Sequence, residues 1–380
     1  HYGDIHATYK TPILNFNEVK SVPKLNNDVV LPSSVQYLKD GDVIIADASE
    51  DYEGVGTAIE LQNLDEKKVI SGLHTFALRD KEDLTAEGFR TYIFKNPMVK
   101  KALKTIATGS KVFGISKGNV QKFKIVLPTF PEQQKIASIL NTWDKAIAAQ
   151  EKLIIEKQEL KNGLMQQLLT GKKRFSEFTD DWKTSKLGDI FTIQGRVGWK
   201  GYKKEDLRDE GPLVIGAKHI KNQLLNLSDP THLSLEKYEE SPEIKIKVND
   251  LLIVQRGSLG KIAIIENDLG KATINPSMAI LRPKRSDISV KFIYYFLCSD
   301  FSQKLIMSET GSTGVPMISQ KQIGTFKMHY PSMQEQGKIV DVMQEIDKEL
   351  LSMDSSLQNL NKQKQGLMQQ LLTGEKLVKV

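Results

Sequence analysis

Apolar positions along this chain fall into two long stretches with helical spacing, each preceded by a block of short β-like runs. In the first stretch the stripe runs through Ile136, Leu140, Trp143, Ile147, Gln150, Ile154, Lys157, Lys161, Leu164 and Leu168, three and four residues apart, with Gln150, Lys157 and Lys161 as its polar members. In the second, Ile339, Met343, Ile346, Leu350, Met353, Leu357, Leu360, Lys364, Leu367 and Leu371 keep the same alternation. That period is a coiled-coil seam, and it predicts two long helices that pair along these positions. Thr129-Phe130-Pro131-Glu132 and Ser332-Met333-Gln334-Glu335 read as capping boxes at the helix starts. Gly171 and Gly374 supply residues that adopt positive φ and stop each helix. At 1.5 Å per residue, about 40 residues make a helix about 60 Å long, which overhangs a domain of this size. Each stripe therefore needs a partner beyond its own domain, and the other helix, running antiparallel, is the nearest one.

The blocks in front of the helices carry Val43-Ile44-Ile45, Leu213-Val214-Ile215, Leu251-Leu252-Ile253-Val254 and Ile262-Ala263-Ile264-Ile265, punctuated by Gly, Asn, Asp and Pro. These are strand and turn signals. Helical segments are expected around Met98–Ile106 and Ile293–Met307. The fold class is α+β: two mixed α/β domains in tandem, each followed by a long helix, the two helices pairing as an antiparallel coiled coil. The expected boundaries are a first domain at 1–128, a helix at 129–171 and a linker at 172–181. A second domain then spans 182–330, with a helix at 331–374 and a tail at 375–380.

The halves are copies. Gly-Leu-Met-Gln-Gln-Leu-Leu-Thr-Gly occurs at Gly163–Gly171 and again at Gly366–Gly374, an offset of 366 − 163 = 203. The same offset matches Pro128, Glu132, Gln133 and Asp144-Lys145 to Pro331, Glu335, Gln336 and Asp347-Lys348. Further upstream an offset of 202 aligns Tyr92, Phe94, Leu103 and Thr108-Gly109-Ser110 with Tyr294, Phe296, Leu305 and Thr310-Gly311-Ser312. Ala77-Leu78-Arg79 resembles Ile280-Leu281-Arg282, and Gly56 falls near an equivalent of Gly260. The second copy runs from Asp181-Trp182 through Lys186-Leu187-Gly188-Asp189-Ile190 to Gly216-Ala217-Lys218-His219-Ile220, and the opening His1–His6 matches that last point. The first copy is therefore expected to lack roughly thirty residues at its front.

Composition adds limits more than chemistry. The 39% hydrophobic and 26% charged residues are ordinary for a globular chain, and no apolar run has the length of a membrane span. With one cysteine, Cys298, no intrachain disulfide can form, which fits a reducing cytoplasm; its apolar neighbours mark it as an inert core thiol. A net charge of +6 leans towards polyanions without proving one. No Walker loop is present, since Gly257-Ser258-Leu259-Gly260-Lys261 has the wrong spacing, and no nucleophile elbow appears. No Cys/His cluster offers a metal site, and Pro242-Glu243-Ile244-Lys245 is a weak echo of a nuclease acid–lysine pair. No catalytic residue and no cofactor is expected.

Contact chemistry is richer. The segment Gly195–Lys204 interleaves Arg196, Trp199, Lys200, Tyr202 and Lys203 with glycine, a composition suited to phosphates and bases. Gln255 and Arg256 follow a strand, and both side chains can pair bidentately with base edges. Lys218, His219, Lys10, Lys111, Lys117 and Lys122 are weaker candidates, because surface lysines are common.

Two variable domains, each followed by a helix that opens on Pro-x-x-x-Glu-Gln-x-x-Ile and closes on Leu-Met-Gln-Gln-Leu-Leu-Thr-Gly, resemble the specificity subunits of type I restriction–modification systems. Here the opening reads Pro128…Glu132-Gln133…Ile136 and Pro331…Glu335-Gln336…Ile339, and Trp182…Lys186-Leu187-Gly188-Asp189-Ile190 looks like the start of that family's target-recognition domain. The resemblance implies a cytoplasmic protein that reads a split double-stranded DNA target, one half-site per domain, with the paired helices as spacer. It implies two modification (methyltransferase) subunits and motor-nuclease restriction subunits as partners, no membrane, and no catalysis by the chain itself. The competing expectation is a coiled-coil adaptor that joins proteins and never touches DNA.

Overall fold

The computed structural model describes residues 1–9, 11–19, 21–196, 201–309 and 315–379. They divide into two compact units: one of residues 1–154 and 352–380, the other of residues 155–351. Both units draw on both long helices, Phe130–Leu168 and Met333–Leu372, which are 39 and 40 residues long. Every predicted stripe position is buried or half-buried. In the first unit Ile136 and Leu140 pack against Leu371 and Leu372, and Gln150 donates from Nε2 to the Met353 carbonyl at 3.1 Å. In the second unit Leu168 and Leu169 pack with Ile339, Val340 and Met343, and Lys157 pairs with Glu349. Within each unit the partner number falls as the residue number rises, so the helices run antiparallel.

The polar positions of the stripe are matched as reciprocals. In the first unit the Tyr92 hydroxyl donates to Asp144 at 2.6 Å, and Asp144 pairs with Lys364. In the second, Tyr295 donates to Asp347 at 2.7 Å, and Asp347 pairs with Lys161 at 2.6 Å. Each residue of one set lies 203 positions from its counterpart. Burial beside a carboxylate drives both tyrosine hydroxyls far above their ordinary range, so they act only as donors. These half-buried pairs specify which residues meet along a seam that apolar contacts alone leave free to slide.

The reciprocity corrects the alignment. Tyr92 corresponds to Tyr295, not Tyr294, and Phe89, Leu103 and Gln133 correspond to Phe292, Ile306 and Gln336, all buried. Among the described residues an offset of 203 therefore holds from 89 to 103 and again at 133, because a one-residue slip turns a helix by about 100° and faces the wrong side chains inward. The serine-glycine match at 310–312 lies outside the described residues. The helix expected over Ile293–Met307 is broken at Ser299 into Val290–Cys298 and Asp300–Ser308. Ser299 takes an extended conformation and its Oγ accepts from the Ser302 amide, the role that Asn96 plays before Pro97 in the first copy. The capping boxes are each half made. Glu132 accepts from the Thr129 amide at 2.9 Å, whereas Glu335 turns inward to a bidentate pair with Arg174 at 2.9 and 2.8 Å.

Three strands of each unit's sheet also correspond. Ala58–Gln62, Val43–Ala46 and Thr75–Leu78 lie side by side in the first unit, as Ile262–Ile264, Leu251–Val254 and Met278–Pro283 do in the second. Each sheet is closed at one end by the same clamp. Arg79 holds Asp42 at 2.8 and 2.6 Å and reaches the Tyr37 carbonyl; Arg282 holds Asp250 at 2.8 and 2.7 Å and reaches the Lys245 carbonyl.

One buried position breaks the symmetry. Glu60 stands opposite Val43 where the second unit has Ile264 opposite Leu251. Its carboxyl accepts from the Gly88 and Thr91 amides, yet burial prevails and pushes its pKa up to about 7. A folded pKa above the unfolded value of about 4.5 means that the unfolded chain ionises first, so stability falls as pH rises from about 4.5 to 7. Glu60→Gln is expected to gain on the parent by about 3 kcal/mol between about pH 5 and pH 8, within a factor of two. Denaturant titrations at the two pH values check this, and an unchanged difference between variant and parent counts against it.

Candidate nucleic-acid interface

In the second unit one edge of the sheet gathers most of the candidate residues. Register pairs Ala279 with Gly195 and Met278 with Val254, so strands Phe191–Gly195 and Leu251–Val254 end where Met278–Pro283 begins. Strand Phe191–Gly195 runs into Arg196 at this edge, and segments 255–261 and 275–277 leave from it. A further segment, 315–319, is bound to it: the Ile318 amide donates to the Gln255 carbonyl at 2.9 Å and the Gly257 amide to Pro316 at 2.9 Å. Gly257 supplies the φ of +81° that this turn requires. Arg256 and Ser258 are exposed at its tip, with the Arg256 guanidinium 3.2 Å from Met317 Sδ. Gly195 has no side chain for a reason: a Cβ there would stand 2.4 Å from Gln320 Nε2 and 3.2 Å from Gln255 Nε2. Two glutamine amides, able to donate and accept, thus converge above the end of one strand.

The structure separates the basic candidates into two kinds. Lys203 and Lys204 are exposed and Tyr202 is half-buried. Arg196 is a correction to the surface expectation. It is 5% exposed, and its guanidinium donates to the Thr273 and Ser241 hydroxyls at 3.2 and 3.4 Å and to the Ile274 carbonyl at 3.4 Å. It lies 5.6 Å from the Tyr202 ring, where it positions that ring and keeps its charge inside. His219 is likewise internal. Its Nδ1 accepts from the Gly216 amide at 2.9 Å, so Nε2 carries the proton and donates to the Asp229 carbonyl at 3.1 Å. Burial holds its pKa below the ordinary value, and the ring stays neutral. Lys218 points outward and pairs with Asp229 at 2.7 Å. Tyr202, Lys218, His219 and Asn275 line a cleft of about 220 Å³ on the same edge. Trp199 and Lys200 lie outside the described residues, as does Lys10.

The first unit has the corresponding edge with different chemistry. The Ile115 amide donates to the Asp47 carbonyl at 2.8 Å, as Ile318 does to Gln255, and Gly56 repeats Gly260 with φ of +75° against +76°. The loop between is longer, Asp47–Val55 against Gln255–Leu259, and it is acidic, with Asp47, Glu50, Asp51 and Glu53. The Tyr52 ring sits 3.9 Å from Phe113 and remains half-exposed. Glu53 pairs with Lys100 and Lys104, which hold its carboxyl well below the usual range, at about 2. Lys111 is exposed at the tip of the neighbouring turn, and Lys117 is exposed at the start of a short helix capped by Ser116. Sequence reasoning passed over Tyr52, Phe113, Asn275 and Gln320. Gly56 and Gly260 were the signal for the first of these, since whatever precedes each glycine occupies the loop tip.

Burial raises the Cys298 thiol to about 12, which fits an inert core residue. Among the described residues no three His, Cys, Asp or Glu side chains form a metal-holding group, and no helix is long and apolar enough to cross a membrane.

Two alike units, each presenting a loop-built polar edge and each clasping parts of both long helices, make a duplicated recognition protein. The description "Type I restriction modification DNA specificity domain" fits residues 4–158 and 179–362, most of the sequence. The chain belongs to that family. It is 24% identical to the type I restriction enzyme MjaVIII specificity subunit of Methanocaldococcus jannaschii over 302 residues, which are 76% of this chain and 70% of that protein. It is 28% identical to the EcoR124I/EcoR124II specificity subunit of Escherichia coli over 240 residues, 61% of this chain and 57% of that protein. The fold matches the crystal structure of a type I S subunit from M. genitalium at a TM-score of 0.54 and 20% identity, covering 91% of this chain and 85% of the other. A structure described for complex assembly of the type I system matches at 0.58 and 16% identity, covering 90% and 84%.

Proposed function

We propose that this chain reads a bipartite double-stranded DNA target, one half-site per unit, and presents it to the methyltransferase and motor-nuclease subunits of a type I restriction–modification complex. The observation that carries this reading is the repeated edge: in both units the same bonds build a loop platform, while the side chains on it differ. The second edge offers Gln255, Arg256, Gln320 and Lys203, which suit guanine and adenine edges and phosphates. The first offers carboxylates and Tyr52, which suit cytosine amino groups and base stacking. Two half-sites of different sequence follow. Two modification subunits flank the helices and supply the adenine chemistry in the cytoplasm; this chain contributes recognition and scaffolding, with no cofactor of its own.

The test is mapping of methylated adenines in cells that express this chain with its cognate modification subunit. A two-part motif with a fixed gap is the expected result. Exchange of residues 182–329 for another variable domain is expected to change one half-site and leave the other and the gap intact. A change in both half-sites, or an unsplit motif, would overturn the two-reader assignment.

A further inference from the structure

Two glutamines on the second unit's edge have fixed backbones and uncommitted amides. Gln255 follows strand Leu251–Val254 and is bonded on both sides. Its amide donates to the Ser277 carbonyl at 2.8 Å, and its carbonyl accepts from the Ile318 amide at 2.9 Å. Gln320 opens the short helix Gln320–Thr325, whose cap is closed in both directions. The Gln322 amide donates to Ser319 Oγ at 3.2 Å, and the Ser319 amide to Gln322 Oε1 at 3.0 Å. Both glutamine side chains are half-buried, and neither amide bonds a described residue.

Gly195 lets the two meet. A Cβ there would stand 2.4 Å from Gln320 Nε2, 3.2 Å from Gln255 Nε2 and 3.2 Å from the Met278 carbonyl. Any side chain at 195 would occupy the space the two amides share. The glycine has no positive φ, so the backbone does not ask for it. Room for the amides does.

The framework recurs in the first unit with other chemistry on it. The Ile115 amide bonds the Asp47 carbonyl, and Ser116 caps helix Lys117–Val120 as Ser319 caps its own. The positions of Gln255 and Gln320 are thus held by Asp47 and Lys117. A retained backbone with exchanged polar side chains is expected where residues select a sequence, and not where they support the fold.

An amide suits one base above the others. Glutamine pairs bidentately with adenine, accepting from N6 and donating to N7, while the thymine opposite shows an O4 acceptor in the major groove. A second amide beside the first can donate to that O4. We propose that Gln255 and Gln320 jointly read one A·T pair of the second half-site, with Gly195 as the positioning residue that keeps both amides within reach of it. This pairing rests on the DNA-reading function proposed above.

The experiment maps methylated adenines in cells that express the full chain and its cognate modification subunit, with Gln255→Ala, Gln320→Ala or both. Each single variant is expected to relax the same position of the second half-site, an A·T pair in the parent motif, by about fivefold or more. The double variant should add little, because the two amides serve one base pair. Gly195→Ala is expected to relax that position too, since its methyl displaces Gln320. The first half-site and the gap stay as in the parent. Competition binding of the purified complex to duplexes changed at each base pair of the second half-site reads the same effect where methylation is weak. Lys321→Ala, at an exposed neighbour of Gln320, is the contrast: it should weaken binding to every duplex alike and flatten the salt dependence. An unchanged second half-site in both glutamine variants would overturn the proposal. So would relaxation at two separate positions, relaxation at a G·C pair, or an equal loss on every duplex, which marks a purely structural role. An unsplit parent motif would overturn the two-reader assignment on which the pairing rests.

Discussion

Matched insertions of four residues in the two long helices are expected to lengthen the gap in the methylated motif by one or two base pairs while both half-sites stay as they were. One turn adds about 6 Å to a helix, and DNA advances about 3.4 Å per base pair. The contacts within each unit say where the turns belong. Gln150–Met353 and Asp144–Lys364 fall in the first unit, Lys157–Glu349 and Lys161–Asp347 in the second. Insertion between Gln150 and Lys157, with its match between Glu349 and Met353, leaves both sets intact. A single insertion forces one set out of register. Methylation mapping reads the outcome, and an unchanged gap in a variant that still methylates would remove the spacer role from the helices.

Arg282→Ala is expected to destabilise the second unit by about 3–5 kcal/mol. Asp250 is 1% exposed, and Arg282 supplies two of its hydrogen bonds; truncation leaves a buried carboxylate with only the Lys247 amide. Arg79→Ala removes the same clamp from the first unit and is expected to cost less, because the Arg79 side chain is 39% exposed and water already screens the pair. Denaturant melts check both, and the double change of Asp250→Leu with Arg282→Met should recover most of the loss. Equal effects at the two sites would mean that burial does not set the strength of the clamp. Both pairs sit away from the reading edge, so a surviving Arg282→Ala protein should keep its target sequence.

Much of this architecture was legible before any coordinates. A stripe of alternating three and four residues demands a helix with a partner, and the nonapeptide repeat names that partner. Gly171 and Gly374 end the helices with φ of +71° and +75°, because a residue without Cβ tolerates that turn. The site was less legible. Arg196 and Tyr202 sit six residues apart in a glycine-rich stretch, and composition gave both the same role. Only the path of the chain past Thr273 and Ser241 turned the arginine inward. His219 was read as a contact for the same reason, and two backbone groups claim both its nitrogens.

The sequence by itself determined what is periodic and local: two copies, two long helices, the face each helix buries, and the residues that stop them. Period and capping depend on neighbours three or four positions away, so they can be read along a line. The tertiary structure alone decided the reciprocal Tyr–Asp–Lys sets, the arginine clamps across each sheet, and the convergence of Gln255 and Gln320 over Gly195. Each of those joins residues tens to hundreds of positions apart, and burial, the quantity that fixes their strength and direction, exists only once the chain has closed around them.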